Sequence, residues 1–126
     1  RLNSVHIYGN LDLEAMQTAA HYLEGTHDFK SFATENPQVT DTVRTIYRTE
    51  LWRYAEDMIH FRITGNGFLY NMVRIIAGTL IRVGRGFYTP ERVKEILEAG
   101  ERTEAGVTAP PQGLVLVEIR YGNENE

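Results

Sequence analysis

The chain has 126 residues, with 13 Lys plus Arg against 17 Asp plus Glu and a formal charge of −4. This length fits one domain or a piece of one, and the lack of cysteine excludes disulfides, thiolate metal sites and cysteine nucleophiles. No apolar run reaches the roughly 20 residues of a membrane span. The net negative charge of the chain argues against a protein that binds its partner purely through an excess of positive charge. Only Lys30 and Lys94 are lysines, so arginine, which grips phosphate and carboxylate bidentately, supplies most of the positive charge.

The N-terminal third predicts one helix. Residues 1–11 mix polar and apolar side chains and are expected to form an irregular leading segment. Asp12 is placed as the N-cap of a helix over about 13–24, in which apolar side chains recur at helical spacing before Gly25. Two Phe residues three positions apart follow within 27–32 and predict a compact turn.

The middle of the chain predicts a β-hairpin. Residues 42–54 and 58–64 alternate β-branched or aromatic side chains with polar ones, and Ala55-Glu56-Asp57 supplies the turn. The basic and aromatic side chains of this hairpin have two interpretations, a face that contacts RNA or a solvated, packed strand face. The side chains concerned are Arg44, Arg48, Arg62, Trp52 and Tyr54.

The C-terminal part predicts two helices and a last strand. Residues 68–83 form the most apolar helix, Thr89-Pro90 begins a second helix that ends at Gly100, and residues 114–121 form the strand. The order of elements predicts an α+β fold, with a mostly antiparallel sheet of three or four strands and helices packed on one face. Residues 1–126 are expected to form a single domain.

One narrow stripe of the helix predicted over 68–83 is polar. On a helical wheel, five polar or glycine positions fall within an arc of about 60°. These positions are Asn71, Arg74, Gly78, Arg82 and Arg85. The stripe faces either water or a cleft. Arg74 is its interior member, and a largely desolvated guanidinium needs a partner that the neighbouring turns of this helix do not offer.

The same helix carries a family resemblance. The run Gly65-Asn66-Gly67-Phe68-Leu69-Tyr70-Asn71-Met72-Val73-Arg74-Ile75-Ile76-Ala77-Gly78-Thr79-Leu80 closely resembles the signature helix of the bacterial tRNA pseudouridine synthase A family. Three flanking pieces are similar in order and spacing. They are Gly25-Thr26-His27-Asp28-Phe29, Val83-Gly84-Arg85-Gly86 and the stretch from Ala105 to Leu114. The resemblance extends over essentially residues 11–121.

The resemblance implies an enzyme that isomerises uridine to pseudouridine in the anticodon stem-loop of tRNA. It implies no cofactor and no metal, a cytoplasmic location and a homodimer. In the family, the nucleophile is an Asp in an Arg-Thr-Asp motif of the N-terminal half, and a Tyr from a second N-terminal motif stacks on the target base.

The nucleophile motif is not found in this sequence. None of the four Asp residues follows Arg-Thr, and Glu104 of Arg102-Thr103-Glu104 belongs by its position to the family's C-terminal loop. The resemblance therefore implies that residues 1–126 are the C-terminal half of the enzyme, without its nucleophile. If the sequence is one domain of a longer protein, a first residue such as Arg1 in place of Met is expected.

For the site, the resemblance implies that Arg74 pairs with the catalytic Asp supplied by the other half. Five further residues are expected to bind substrate: Phe68, Tyr70, Asn71, Arg82 and Arg85. Of these, Arg82 and Arg85 are expected to contact phosphate, and core packing is the alternative role of Phe68.

Two alternatives to an enzyme remain open, a non-catalytic RNA-binding module and a dimerisation module of similar fold. The adjacent His27 and Asp28 are more typical of a local turn or cap than of a functional pair.

Overall fold

The computed structural model describes residues 1–102 in full and residues 115–122 by their backbone. The elements follow one another as β1 (Leu2–Tyr8), α1 (Leu13–His21), β2 (Gly25–Asp28), β3 (Val43–Ala55), β4 (Met58–Gly65), α2 (Met72–Gly84), α3 (Arg92–Ala99) and β5 (Val115–Gly122). A short 3-10 helix at Lys30–Phe32 lies between β2 and β3.

The five strands form one antiparallel sheet in the order β2-β3-β4-β1-β5. Strand β1 therefore lies inside the sheet, where Leu2 is opposite Thr64 of β4 and Tyr8 is opposite Met58. The hairpin of β3 and β4 and the last strand are confirmed, and so is the α+β class.

Two segments expected to be irregular are strands, so the expected number of three or four strands is wrong. Residues 1–11 contain β1, and the turn expected at 27–32 overlaps β2. The alternation of Val5 and Ile7, both fully buried, is extended by Asn3, which is only 1% exposed. Because a polar residue occupies this buried position, the period-2 pattern of β1 does not stand out in the sequence.

Helix α1 begins where the sequence predicts it. Asp12 is an extended N-cap, and its Oδ1 accepts a hydrogen bond from the N–H of Ala15 at 3.1 Å. The buried Met16 packs α1 against α2. A Cβ added to Gly84 would lie 2.7 Å from the Met16 sulfur, so this glycine permits the close approach of the two helices.

Helix α3 follows Thr89-Pro90 as expected but begins two residues after the proline. Its first residue is Arg92, whose N–H donates to the Thr89 carbonyl at 3.0 Å, and its N-cap is Glu91 rather than Thr89. Gly100 ends the helix with φ 66°, a conformation that glycine adopts without strain.

The core lies between one face of the sheet and the helices. Its largest fully buried side chains include Phe29, Phe32, Phe61, Met16, Leu23 and Met72. Within the described part of the chain, no helix has both the length and the apolar character needed to cross a membrane.

Glu24 ties the end of α1 to β3. Its Oε2 accepts hydrogen bonds from the N–H of Thr49 at 2.8 Å and from the Thr49 hydroxyl at 3.0 Å. Its Oε1 lies 3.4 Å from Nδ1 of His21. Burial by itself raises the pKa of Glu24, but the Thr49 hydrogen bonds and His21 outweigh it, so the pKa lies below its ordinary value of 4.5.

The change Glu24→Gln is expected to lower the free energy of unfolding by about 1 kcal/mol at pH 7, because charge-assisted hydrogen bonds become neutral ones. A pKa lowered on folding stabilises the protein above the ordinary value of 4.5, and this contribution disappears as the pH falls through the folded-state pKa. Urea unfolding at pH 7 and at pH 3 measures the difference between variant and wild type. We expect the difference to shrink at pH 3, and an equal difference at both pH values would contradict this role of Glu24.

Candidate active site

The segment between β4 and α2 is irregular, so the start expected for the long helix is wrong. The helix predicted over 68–83 begins only at Met72. Asn71 has φ 61°, a left-handed conformation that asparagine tolerates better than most other residues. As a result, the segment Phe68–Tyr70 forms a wall beside the helix start instead of its first turn.

Hydrogen bonds fix both ends of this irregular segment. The N–H of Asn66 donates to the Thr45 carbonyl, and the N–H of Thr45 donates to Oδ1 of Asn66, each at 3.0 Å. At the other end, the N–H of Thr34 donates to the Tyr70 carbonyl at 3.1 Å. The amide of Asn71 donates to Oγ1 of Thr34, also at 3.1 Å. The segment is therefore held between the hairpin and the loop that follows Phe32.

The two glycines beside Asn66 have different roles. A Cβ at Gly65 would lie 2.7 Å from the Thr45 carbonyl oxygen, which is backbone and has little freedom to move. A Cβ at Gly67 would meet Nε of Arg44 at 3.6 Å, an ordinary contact. Gly65 thus permits the close pairing that starts the segment, whereas Gly67 has room for a side chain.

Arg74 lies in the first turn of α2 and lines a cavity of about 170 Å³. The described walls are Arg1, Asn3 and residues 68–74, and none of these is an Asp or Glu. Arg74 is exposed within these 126 residues, so nothing in the described part of the chain desolvates its guanidinium. Gly78, one turn further along, is buried, so the polar stripe does not continue as an open slit.

The cavity beside Arg74 is electropositive for two reasons. The first N–H groups of an α-helix have no acceptor within the helix, and the helix dipole places partial positive charge at the same end. The Arg74 guanidinium adds a full positive charge there, and among the described residues it forms no ion pair. This arrangement favours an anion, either a carboxylate or a phosphate.

A larger cavity of about 610 Å³ lies next to the first, and the segment Phe68–Tyr70 lines both. The Tyr70 side chain is 67% exposed. The charged residues in the described walls of the larger cavity are Lys30, Arg44, Arg102, Asp28 and Glu35. The described walls thus carry one more positive than negative side chain beside an exposed aromatic ring.

His27 and Asp28 are the last two residues of strand β2 rather than part of a turn, and they have separate local hydrogen-bond partners. Nε2 of His27 lies 2.8 Å from the Glu24 carbonyl oxygen. Oδ1 of Asp28 accepts hydrogen bonds from the N–H of Lys30 at 3.1 Å and from the Thr42 hydroxyl at 2.6 Å.

Arg82 and Arg85 lie at the other end of α2. At 1.5 Å per residue, Arg85 is about 16 Å from Arg74 along the helix axis. Arg82 is half-buried with its guanidinium 5.9 Å from the Tyr88 ring, and Arg85 is exposed with its guanidinium 4.8 Å from the Phe87 ring. Neither arginine is among the described residues that line the two cavities.

The hairpin side chains considered for RNA contact are largely engaged with one another. The Trp52 ring stacks on His60 with 4.3 Å between centroids, and the Arg62 guanidinium lies 4.9 Å from the Trp52 ring. Oε1 of Glu50 lies 3.2 Å from Arg48 and 3.7 Å from Arg62. For Trp52, Arg48 and Arg62 these contacts favour the packed strand face over a face that contacts RNA, whereas Arg44 lines the larger cavity.

Asn3 and Lys30 line the cavities, although neither is among the site residues that the sequence predicts. A polar residue at a buried position of an alternating strand was the available signal for Asn3. Nothing in the local sequence distinguishes Lys30 from a surface lysine. Glu104 and the stretch from Ala105 to Leu114 lie outside the described residues. No cluster of three or more metal-ligating side chains occurs in the described part.

Comparison with known proteins shows a match that covers most of the chain. The family model described as tRNA pseudouridine synthase matches residues 19–122. The chain is 50% identical over 123 residues to tRNA pseudouridine synthase A of Bacillus pumilus, 51% over 111 residues to that of an Exiguobacterium species and 50% over 118 residues to that of Bacillus subtilis. These matches cover 98%, 88% and 94% of this chain but 49%, 45% and 47% of the relatives. The chain thus spans about half the length of the curated relatives it matches.

Proposed function

We propose that this chain, which belongs to the tRNA pseudouridine synthase family, forms part of an enzyme that isomerises uridine in the anticodon stem-loop of tRNA. In this reaction the bond between ribose C1′ and uracil N1 breaks and a bond between C1′ and C5 forms. The C5 proton leaves to solvent and N1 gains a proton. The observation that carries the proposal is Arg74, an exposed cation beside a cavity of about 170 Å³ whose described walls contain no carboxylate.

The nucleophile in this proposal is an aspartate from outside these 126 residues. The four Asp residues of the chain occupy local structural positions away from the Arg74 cavity. Asp12, Asp28 and Asp41 each accept a hydrogen bond from a backbone N–H within three residues. Asp57 lies in the turn between β3 and β4. None of the four is among the described residues that line the Arg74 cavity.

Arg74 would act on that aspartate in two ways. A neighbouring guanidinium lowers the pKa of a carboxylic acid and so keeps it ionised, which is the form that attacks as a nucleophile or accepts a proton. The planar fork of arginine also holds both carboxylate oxygens and fixes the orientation of the group. The partial positive charge at the start of α2 supports the same ionised state.

The two cavities suggest how RNA is held. Because Phe68–Tyr70 lines both, a single strand that crosses this wall can place one base beside Arg74 and the neighbouring nucleotide beside Lys30 and Arg44. The exposed Tyr70 ring offers a stacking surface, and stacking of a base on an aromatic ring is worth about 1–3 kcal/mol.

The remaining substrate-binding residues have more distant or indirect roles. Asn71 shapes the wall through its hydrogen bond to Thr34. Arg82 and Arg85 contact phosphates about 12 and 16 Å from Arg74 along the helix axis, distances that suit a substrate as large as tRNA. A cytoplasmic homodimer belongs to the same proposal.

The change Arg74→Ala is expected to lower kcat at least about 100-fold in the complete protein that contains this chain, because the catalytic carboxylate loses its charge partner. Arg74→Lys keeps the charge but loses the fork, so its kcat should lie between wild type and Arg74→Ala. The measurement is release of tritium from C5-labelled uridine in tRNA. Arg85→Ala removes the same charge at the far end of α2 and is expected to raise KM while leaving kcat unchanged.

Three outcomes would contradict this assignment. Unchanged kcat in Arg74→Ala would remove the role of Arg74, and isomerisation by the 126-residue chain alone would remove the external nucleophile. Tight tRNA binding by the complete protein without isomerisation would favour a non-catalytic RNA-binding module.

The change Lys30→Ala is expected to weaken tRNA binding and to reduce the slope of log affinity against log salt by about 0.7, the value for one phosphate contact on a single strand. Lys94→Ala is the matched control, since Lys94 is exposed on α3 and is not among the described residues of either cavity. Fluorescence anisotropy with tRNA over a salt series measures both slopes. If the two variants change the slope equally, the larger cavity does not bind the RNA backbone.

A further inference from the structure

The C-terminal end of α2 and the segment that joins it to α3 carry a cluster of arginine and aromatic side chains. The Arg85 guanidinium lies 4.8 Å from the centre of the Phe87 ring. The guanidiniums of Arg82 and Arg92 lie 5.9 and 5.8 Å from the centre of the Tyr88 ring. These five residues form what we term the arginine–aromatic patch. It thus combines three cations with two aromatic rings.

The positive charge of the arginine–aromatic patch is only partly neutralised. Nη1 of Arg92 lies 3.1 Å from Oε1 of Glu95. Arg82 and Arg85 form no ion pair within the described part of the chain. A phosphate group would supply these two guanidiniums with the anion that they lack. An apolar protein surface would instead remove them from water without a partner, at a cost in free energy.

The Phe87 ring is exposed on a fixed turn. The side chain is 57% exposed, so the neighbouring guanidinium covers only part of the ring. The N–H of Phe87 donates to the Arg82 carbonyl at 2.9 Å, and the N–H of Gly86 donates to the Val83 carbonyl at 3.0 Å. Gly86 has φ 83°, a conformation that glycine adopts without strain. Because the backbone is already ordered, a contact with the ring loses little conformational entropy.

We infer that Phe87 stacks on the base of an unpaired nucleotide of tRNA while Arg85 contacts a phosphate of the same strand, an inference that rests on the proposed function. Proteins bind single strands with positive charge along the backbone and with aromatic rings on which bases stack. A nucleotide outside a helical stem can present a free base face to the ring. Phe87 is therefore a binding residue in this assignment and takes no part in the chemistry.

This nucleotide is a different one from the target uridine. Arg85 lies about 16 Å from Arg74 along the helix axis. Neither Phe87 nor Arg85 is among the described residues that line the two cavities. Loss of the stacking contact is therefore expected to raise KM for tRNA and to leave kcat unchanged.

The first test separates stacking from charge in the complete protein that contains this chain. Phe87→Leu keeps an apolar side chain but removes the aromatic face, so tRNA affinity is expected to fall about tenfold. The slope of log affinity against log salt is expected to stay the same, because stacking releases no counterions. Phe87→Trp keeps an aromatic face and is expected to retain the affinity. Arg85→Ala is expected to reduce the slope by about 0.7, the value for one phosphate contact on a single strand.

Tyr47→Leu is the matched control for this test. Tyr47 is 61% exposed, and in the described part of the chain no guanidinium lies over its ring. Its change is expected to leave tRNA affinity the same in fluorescence anisotropy over a salt series. The inference is overturned by unchanged affinity in Phe87→Leu or by an equal loss in Tyr47→Leu. A Phe87→Trp protein that binds as weakly as Phe87→Leu also overturns it.

The second test identifies the group that contacts the ring. The photoreactive amino acid p-benzoylphenylalanine replaces Phe87 in the complete protein, which is irradiated with tRNA, and primer extension maps the crosslinked nucleotide. We expect a crosslink to an unpaired nucleotide. A crosslink only to paired nucleotides, a crosslink only to protein, or no crosslink would overturn the inference.

The two proposals can fail separately, because neither test requires turnover. A crosslink to an unpaired nucleotide in a protein that does not isomerise uridine would leave the contact standing and remove the proposed reaction. Isomerisation by a protein that forms no such crosslink would remove only the contact.

Discussion

The left-handed conformation of Asn71 is the constraint on which the candidate site depends. With φ 61° at this residue, the chain cannot enter the helix at Phe68 and instead begins α2 at Met72. The amide of Asn71 and the N–H of Thr34 both fix this turn to the neighbouring loop. Because the helix begins here, Arg74 is an exposed residue of its first turn, and Phe68–Tyr70 becomes the wall that two cavities share.

The charge of the site follows from the same geometry. A helix that began at Phe68 would place Arg74 in its second turn, away from the free N–H groups. The observed start places the guanidinium beside those groups, so that helix dipole and side chain favour the same anion. Within the described residues nothing negative lines this cavity. Since the chain spans about half the length of its relatives, an anion supplied by the rest of such a protein is the simplest chemical complement.

Much of the fold could be predicted from local chemistry. Asp12 caps α1 as its sequence context indicates, the alternation of residues 42–54 and 58–64 gives the hairpin, and Gly100 ends α3. Strand β1 was missed because Asn3 stands where the alternation calls for an apolar residue. The start of α2 was misplaced because an apolar run shows periodicity but not the sign of φ at one asparagine.

The site was predictable only in part. A helical wheel placed Arg74, Arg82 and Arg85 on one arc, but a wheel omits distance along the axis, and the first and last of these lie about 16 Å apart. The substrate proposed for the chain came from the resemblance of residues 65–80 to a family and not from composition or spacing. Asn3 and Lys30 emerged only once the fold had brought β1 and the loop after β2 to the segment Phe68–Tyr70.

A crystal structure of the complete protein that contains this chain tests the central claim most directly. We expect an aspartate from outside these 126 residues, with a carboxylate oxygen within about 3 Å of the Arg74 guanidinium. That carboxylate should face the cavity that Asn3 lines. An Arg74 that faces solvent, or one whose only partner is a group other than an aspartate, would contradict the account.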